Sequence, residues 1–480
     1  MDVITRGTGN VFVQTDMDSG FSFLTSVGVG DITFPRGERT PVYRADLLRS
    51  GRFVIDGFIQ GEAGPATVTL EKPYDSVYNF LLEQECPFNM RINHACKGNR
   101  GLPSNYQIGI LMLDAAFTSS GMGAPTALPD EQDQQVARIS TSGEIMASAW
   151  TLVYQLDYAQ RNPSGSGSVL DIFFVPANCG GICAEAVAPA KVGYAIRGQA
   201  AGYLGSGQFV YTKDGGLTWV TRTDPFPDRD PQCLVWIERV HGARIVVGGE
   251  PATGSPAAVA YTDDGGMTWV RVTVGSVNGQ GINRLVMDQA GTLWAVADDG
   301  YAYASQNLGI TWETILHGDV AQDLTDIAFS SLYNGIIVGA SNTVLITEDG
   351  GATWKSVTGP ASGADLLTVA YNRYGRAFVG TSGGAIYSYD GSEWTLRLSV
   401  GSASVRRIRF DTSMQYGGFA IVNSSTSVGT LYRSTDGGVT WDSVAGPTNT
   451  GYSALYPIDF NTVFVGGNGS TVVSYAPAGR

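Results

Sequence analysis

The chain has 480 residues, of which 43% are hydrophobic and 63 are glycine; that is room for two or three domains and rules out a disordered polymer. A net charge of −14 and a pI near 4.7 argue against a nucleic-acid-gripping role, because an acidic surface repels phosphate. No apolar run reaches the roughly 18 residues of a membrane span, and the start, Met-Asp-Val-Ile-Thr-Arg, lacks a signal peptide's basic and apolar regions. The sequence therefore predicts a protein made in a cytoplasm and not inserted into a membrane.

Residues 1–160 hold a single tryptophan, Trp150, and none of the repeats found further on, so they read as a separate domain. Alternating apolar residues predict strands over 53–60, 66–70, 89–94, 107–116 and 145–158. A helix over 76–84 is predicted from Asp75 as its cap and a narrow stripe of Val77, Phe80 and Leu81. Two polar stretches, 32–52 and 117–134, read as long loops. The segment Arg161-Asn-Pro-Ser-Gly-Ser-Gly-Ser168 has the composition of a flexible linker.

From residue 169 the chain repeats itself. Thr212-Lys-Asp214-Gly-Gly216-Leu-Thr218-Trp219 returns as Thr262-Asp-Asp264-Gly-Gly266-Met-Thr268-Trp269, again over Thr347 to Trp354 with Asp349, and over Ser434 to Trp441 with Asp436. Ser305 to Trp312 carries Asn307 in place of the aspartate, and Ser388 to Trp394, with Asp390, is shorter by one residue. Successive tryptophans stand 50, 43, 42, 40 and 47 residues apart. In such a unit a carboxylate accepts backbone N–H groups of a tight turn, glycines supply positive φ, and the indole packs between neighbours.

An apolar strand, a glycine and a second strand precede each unit, as in Gly335–Gly339 and Thr343–Thr347. Each repeat thus makes a four-stranded blade. Thr462 to Gly466 and Thr471 to Ser474 begin one more blade that lacks a box and a last strand. The expectation is an all-β chain with one short helix: a first domain over 1–162, a linker over 163–168 and a seven-bladed propeller over 169–480. The run Val169 to Val175 is expected to supply the missing strand and so remove the exposed edges.

These units match the Asp-box, and the region resembles the BNR-repeat propellers of Ycf48-type assembly factors and, more loosely, sialidases and sortilin-type receptors. The resemblance implies a structural role for Asp214, Trp219, Asp264, Trp269, Asn307, Trp312, Asp349, Trp354, Asp390, Trp394, Asp436 and Trp441. It transfers no chemistry, since the Arg-Ile-Pro signature of sialidases is missing and the nearest text is Arg407-Ile408-Arg409. No catalytic, cofactor-binding or metal site is expected. Of the five cysteines, Cys179 and Cys183 are spaced like a loosened metal knuckle, but the chain has only three histidines, His94, His241 and His317, to complete a zinc shell. Buried thiols or a local disulfide is the plainer reading, with the histidines in ordinary core or surface positions.

The first domain, through Asp31-Ile-Thr-Phe-Pro35, Thr40-Pro-Val-Tyr43, Ser50-Gly-Arg-Phe-Val54 and Ile59-Gln-Gly-Glu-Ala-Gly-Pro65, resembles the tail-tube β-sandwich of siphovirus-type bacteriophages. That resemblance implies a structural virion protein: homohexameric rings stacked into a tube beside other tail proteins, passing viral DNA without specific binding. Residues 1–168 carry 18 acidic against 12 basic residues, which suits such a lumen. The propeller would then face outward as a decoration, free to touch a host surface glycan or protein. Two other readings stand beside it: a tail fibre that binds a host receptor through the propeller, and an assembly factor resembling Ycf48.

Overall fold

A computed structural model describes the strands of residues 1–155 and, apart from 164–166, 176–190, 199–206, 478–480 and a few shorter stretches, residues 156–480. The chain divides into two compact units, Met1–Gln155 and Leu156–Arg480.

In the first unit, Asp2–Ile4, Gly28–Phe34, Ala66–Lys72 and Ile139–Ala147 pair in succession. Ile139–Ala147 meets the end of Ile108–Phe117, which continues through Phe88–His94 and Gly9–Gln14 to Ser22–Leu24. Ala149–Val153 pairs with the other side of Ile108–Phe117. Met90, Leu111 and Leu113 are fully buried, and Asn89 donates to Gln14 Oε1 at 3.0 Å. The single strand expected over 145–158 is three: Ile139–Ala147, Ala149–Val153 and Leu156–Gln160. These strands establish an antiparallel β-rich unit, and a tail-tube sandwich is not shown by them. The helix expected over 76–84 and the strand over 53–60 lie outside the described residues.

The second unit is a propeller of seven four-stranded antiparallel sheets. Its innermost strands, one per blade, are Ser168–Phe174, Pro231–Arg239, Ile282–Met287, Leu324–Phe329, Leu366–Tyr371, Ser404–Phe410 and Tyr452–Asp459. The second strands are sandwiched between blades; Leu293–Ala297, Gly335–Gly339 and Ala377–Thr381 are buried at every residue. This accounts for their unbroken apolar sequence with glycine where the neighbour presses close. Outermost strands such as Val220–Thr221 and Lys355–Ser356 are exposed throughout.

The core is thus a set of inter-blade layers. Ile327 and Ile337 of the fourth blade pack with Trp294 and Val296 of the third, and so on round the ring. The last layer joins Val169, Ile172 and Phe174 of the first blade to Ala454, Phe464 and Val472 of the seventh, so the ring closes by side-chain burial as well as by hydrogen bonds. At about 25 cal/mol per Å² of apolar surface, each large side chain in such a layer contributes roughly 1.5–3 kcal/mol.

Ring closure differs from the sequence expectation. Residues 169–175 form the inner strand of the first blade, paired with Gly193–Gly198. The seventh blade is completed by Leu156–Gln160, which pairs along its length with Thr471–Pro477, Leu156 opposite Pro477 and Gln160 opposite Val473. The propeller therefore begins at 156, and the predicted linker sits inside it: Arg161 N donates to Val472 O at 2.7 Å, and Val472 N to Asn162 Oδ1 at 3.0 Å.

Candidate functional site

The Asp-boxes occupy the turns between third and fourth strands. In the first, Asp214 Oδ1 accepts Thr218 N at 2.8 Å and Oδ2 accepts Thr218 Oγ1 at 2.6 Å, while Thr212 Oγ1 donates to Asp214 and accepts Gly216 N. The same closed circuit surrounds Asp264, Asp349 and Asp436. Asn307 preserves it by reversing one bond: its Nδ2 donates to Thr311 Oγ1 at 2.7 Å. Asp390, in the shortened box, instead accepts Ser392 N, Ser392 Oγ and Glu393 N. These bonds hold the Asp349 carboxyl down at about 2, Thr353 foremost, and Asp390 at about 2 through the Glu393 and Ser392 amides. Gly351 sits at φ +87°, and a Cβ there would lie 2.2 Å from the Trp294 ring, so the box admits no side chain at this position.

The box tryptophans tie neighbouring blades. Trp269 Nε1 donates to Thr223 O at 2.9 Å, and Trp394 Nε1 to Thr358 O at 2.9 Å; each acceptor lies just beyond the outermost strand of the preceding blade. Trp219 Nε1 donates to Arg161 O at 2.8 Å, the equivalent carbonyl after Leu156–Gln160. The indole of Trp354 packs against Trp294 and Phe329, and its N–H has no hydrogen-bond partner among the described residues. Trp312 and Trp441 donate within their own boxes, to Gly309 O and Gly438 O.

A second constellation lies on the propeller axis. Every innermost strand carries a β-bulge at the same place, and the residue that resumes pairing after it is Asp171, Cys233, Arg284, Asp326, Thr368, Arg407 or Ala454, one per blade. A bulge re-aims a side chain, and the contacts show where. Arg284 NH1 of the third blade lies 3.0 Å from Asp171 Oδ2 of the first, and Arg409 NH1 of the sixth lies 3.2 Å from Asp326 Oδ2 of the fourth. Each contact skips a blade, so the side chains meet across the axis.

Asp326 is fully buried and accepts Ile327 N, Val369 N and Thr368 Oγ1, with Arg284 Nε at 3.6 Å. Asp171 accepts Leu234 N at 3.1 Å from the next blade. Burial works against the Asp326 charge, yet Arg409 and Arg284 outweigh it and its carboxyl lies below the usual range. Arg284 is likewise lowered by burial but raised more by Asp171 and Asp326. Arg409 is pulled down to about 10 by burial and by Arg284, and Arg407 is lowered for the same two reasons. Burial pushes the Cys233 thiol up to about 12, so it stays protonated and unreactive at neutral pH.

Arg407 and Arg409, visible in the sequence only as a poor match to a sialidase signature, are thus at the centre of the ring. His317 is exposed at the end of the outer strand of the third blade, paired opposite Tyr301; Cys179, Cys183 and His241 lie outside the described residues. Among the described residues no group of three or more metal-ligating side chains occurs, and no helix is long and apolar enough to cross a membrane.

The fold and its boxes define an Asp-box β-propeller with a polar axis. The family model described as "Photosynthesis system II assembly factor YCF48" matches residues 314–455, under a third of the chain. Two solved propellers share the fold: "YCF48 bound to D1 peptide", at 16% identity and TM-score 0.50 over 68% of this chain and 96% of that one, and a virginiamycin B lyase from Staphylococcus aureus, at 8% identity and TM-score 0.53 over 67% and 99%. A Paenibacillus sp. xyloglucanase is 27% identical over 165 residues, 30% of this chain and 16% of the xyloglucanase. The chain therefore spans only a small part of that relative's length, and its neighbours include enzymes as well as an assembly factor. The expected phage tail-tube assignment is corrected by these findings: the matches run to a Ycf48-like BNR propeller, and none points to a tail tube, a virion or a bacteriophage.

Proposed function

We propose that the propeller is a non-catalytic binding module of the Ycf48 assembly-factor type, which docks a segment of a client protein during its assembly. The observation that carries this reading is the family match across residues 314–455, a stretch that contributes Thr368, Arg407 and Arg409 to the axis. The solved propeller of that type holds a peptide, and the polar axis here carries guanidinium groups, the class of donor that pairs with a peptide's carboxylates. A binding role also agrees with the state of the acids. Box carboxylates accept the donors of their own turns, and Asp171 and Asp326 are paired with arginines, so these acids serve the fold.

Fluorescence anisotropy of the purified chain against the D1 peptide and a panel of extended peptides tests the proposal. Saturable binding of at least one peptide, without turnover of xyloglucan or a streptogramin, is expected. A folded propeller that binds no peptide, or that cleaves either substrate, overturns it.

A further inference from the structure

The sequence holds three Asn-Gly pairs, beginning at Asn278, Asn334 and Asn468. In such a pair the glycine nitrogen can attack the asparagine side-chain carbonyl carbon, because no side chain crowds it and the reaction is intramolecular. All three asparagines are exposed, but the nitrogens that follow them are not alike. Gly335 is buried in Gly335–Gly339, paired opposite both Phe329 and Thr347. Gly279 N donates to Ser255 O at 2.8 Å. Gly469 is exposed, and its N has no acceptor among the described residues.

The Asn468 amide is also polarised. Ser168 Oγ donates to Asn468 Oδ1 at 3.1 Å, the atom on which negative charge develops during the attack. The same side chain rivets the ring. Its Nδ2 donates to Thr426 O of the sixth blade, Ser168 belongs to the first blade, and Asn468 N donates to Gly451 O at 3.0 Å. The turn over 468–471 leads directly into Thr471–Pro477, the strand that receives Leu156–Gln160. The bond to Thr426 O restrains the amide about as much as the bond to Ser255 O restrains Gly279 N. The Ser168 hydroxyl therefore decides between Asn468 and Asn278.

We propose that Asn468-Gly469 is a self-modifying site, where deamidation by solvent water loosens the closure of the propeller. Gly469 N gives its proton to solvent and bonds to Asn468 Cγ, the Cγ–Nδ2 bond breaks, and the nitrogen takes up a proton and leaves as ammonia. Water then opens the cyclic imide at either carbonyl. The net reaction turns amide and water into acid and ammonia, with no change of oxidation state. Aspartate sets an oxygen against Thr426 O where a donor stood, and isoaspartate adds a methylene to the main chain of the turn. Either product cuts the link to the sixth blade.

The full-length chain is aged in mildly alkaline buffer and mapped by peptide mass spectrometry, with isoaspartate scored separately and thermal unfolding followed in parallel. Asn468 should convert several-fold faster than Asn278, with Asn334 slowest, and the unfolding midpoint should fall by about 2 °C as it converts, the loss of one hydrogen bond. Asn468→Asp, one product made directly, should show the same fall without ageing. Ser168→Ala should erase the lead of Asn468 over Asn278, and in urea the three sites should converge. Conversion of Asn278 or Asn334 first, a lead that survives Ser168→Ala or urea, or a midpoint unmoved with Asn468 fully converted overturns the proposal.

Discussion

Replacing Asp326 by alanine should be the most damaging single change at the propeller axis. The carboxylate is fully buried and takes hydrogen bonds from Ile327 N at 3.0 Å, Val369 N at 3.1 Å, Thr368 Oγ1 at 2.9 Å and Arg409 NH1 at 3.2 Å. Its removal strands two backbone donors and leaves three guanidiniums facing only Asp171. Breaking a buried ion pair from one side costs about 3–5 kcal/mol. Arg284 keeps Asp171 and Arg409 keeps the Ile408 and Val369 carbonyls, so the lower half of that range, about 3–4 kcal/mol, is expected. Urea unfolding of the full-length chain, followed by tryptophan fluorescence, should show a lower midpoint with an unchanged slope. Pairing Asp326→Leu with Arg409→Met should recover part of the loss, since both charges then leave together. A loss below about 1 kcal/mol for Asp326→Ala would refute the claim that this carboxylate organises the ring.

Three further outcomes are expected. The Asp349 and Asp390 carboxyls sit near 2 in the folded chain against about 3.9 unfolded, so their stabilisation is present above pH 4 and lost as pH falls toward 2; Asp349→Asn, imitating the natural box at Asn307, should flatten that acid limb in a circular-dichroism titration. Asp224 behaves oppositely: burial raises it to about 6, so its protonated form favours the fold and stability falls as pH climbs from 4 through 6. Asp224→Asn should therefore stabilise the chain at pH 7.5 by about 1–2 kcal/mol, discounted for partial solvent access, and an unchanged midpoint there would count against the burial argument. A chain beginning at residue 156 should be monomeric in sedimentation, whereas one beginning at 169 lacks the partner of Thr471–Pro477 and should self-associate through that bare edge; equal behaviour of the two would contradict the observed closure.

The blades were legible because their determinants are local. An Asp-box is a hydrogen-bond circuit within eight residues, so spacing alone located Asp214, Asp264, Asn307, Asp349, Asp390 and Asp436 at their turns. Closure was not legible, because it is decided by pairing between distant segments. Residues 156–158 read as the end of a first-domain strand over 145–158 and 169–175 as the closing strand, and only the pairing with Thr471–Pro477 shows that 156–160 closes the ring. The axial ring was hidden for another reason: its seven positions carry aspartate, cysteine, arginine, threonine and alanine, so repeat alignment shows no shared chemistry. One signal was available, a charged residue in the middle of a mostly apolar inner strand, as in Leu324-Thr-Asp326-Ile-Ala-Phe329. The first domain offered neither local circuits nor repeats, and the family resemblance read into it pointed to the wrong function.

Closure by Leu156–Gln160 also sets the order in which the protein can fold. That strand leaves the ribosome long before its partners do; Ala159 and Ser474 are separated by 315 residues. Contacts so remote in sequence form slowly, since the whole intervening loop must be drawn together first. Six blades can therefore be built while the first strand of the unit waits, and the arrival of Thr471–Pro477 decides whether the ring latches. A chain that stops before residue 471 would present a nearly complete propeller with two unsatisfied edges, a species for chaperones or proteases.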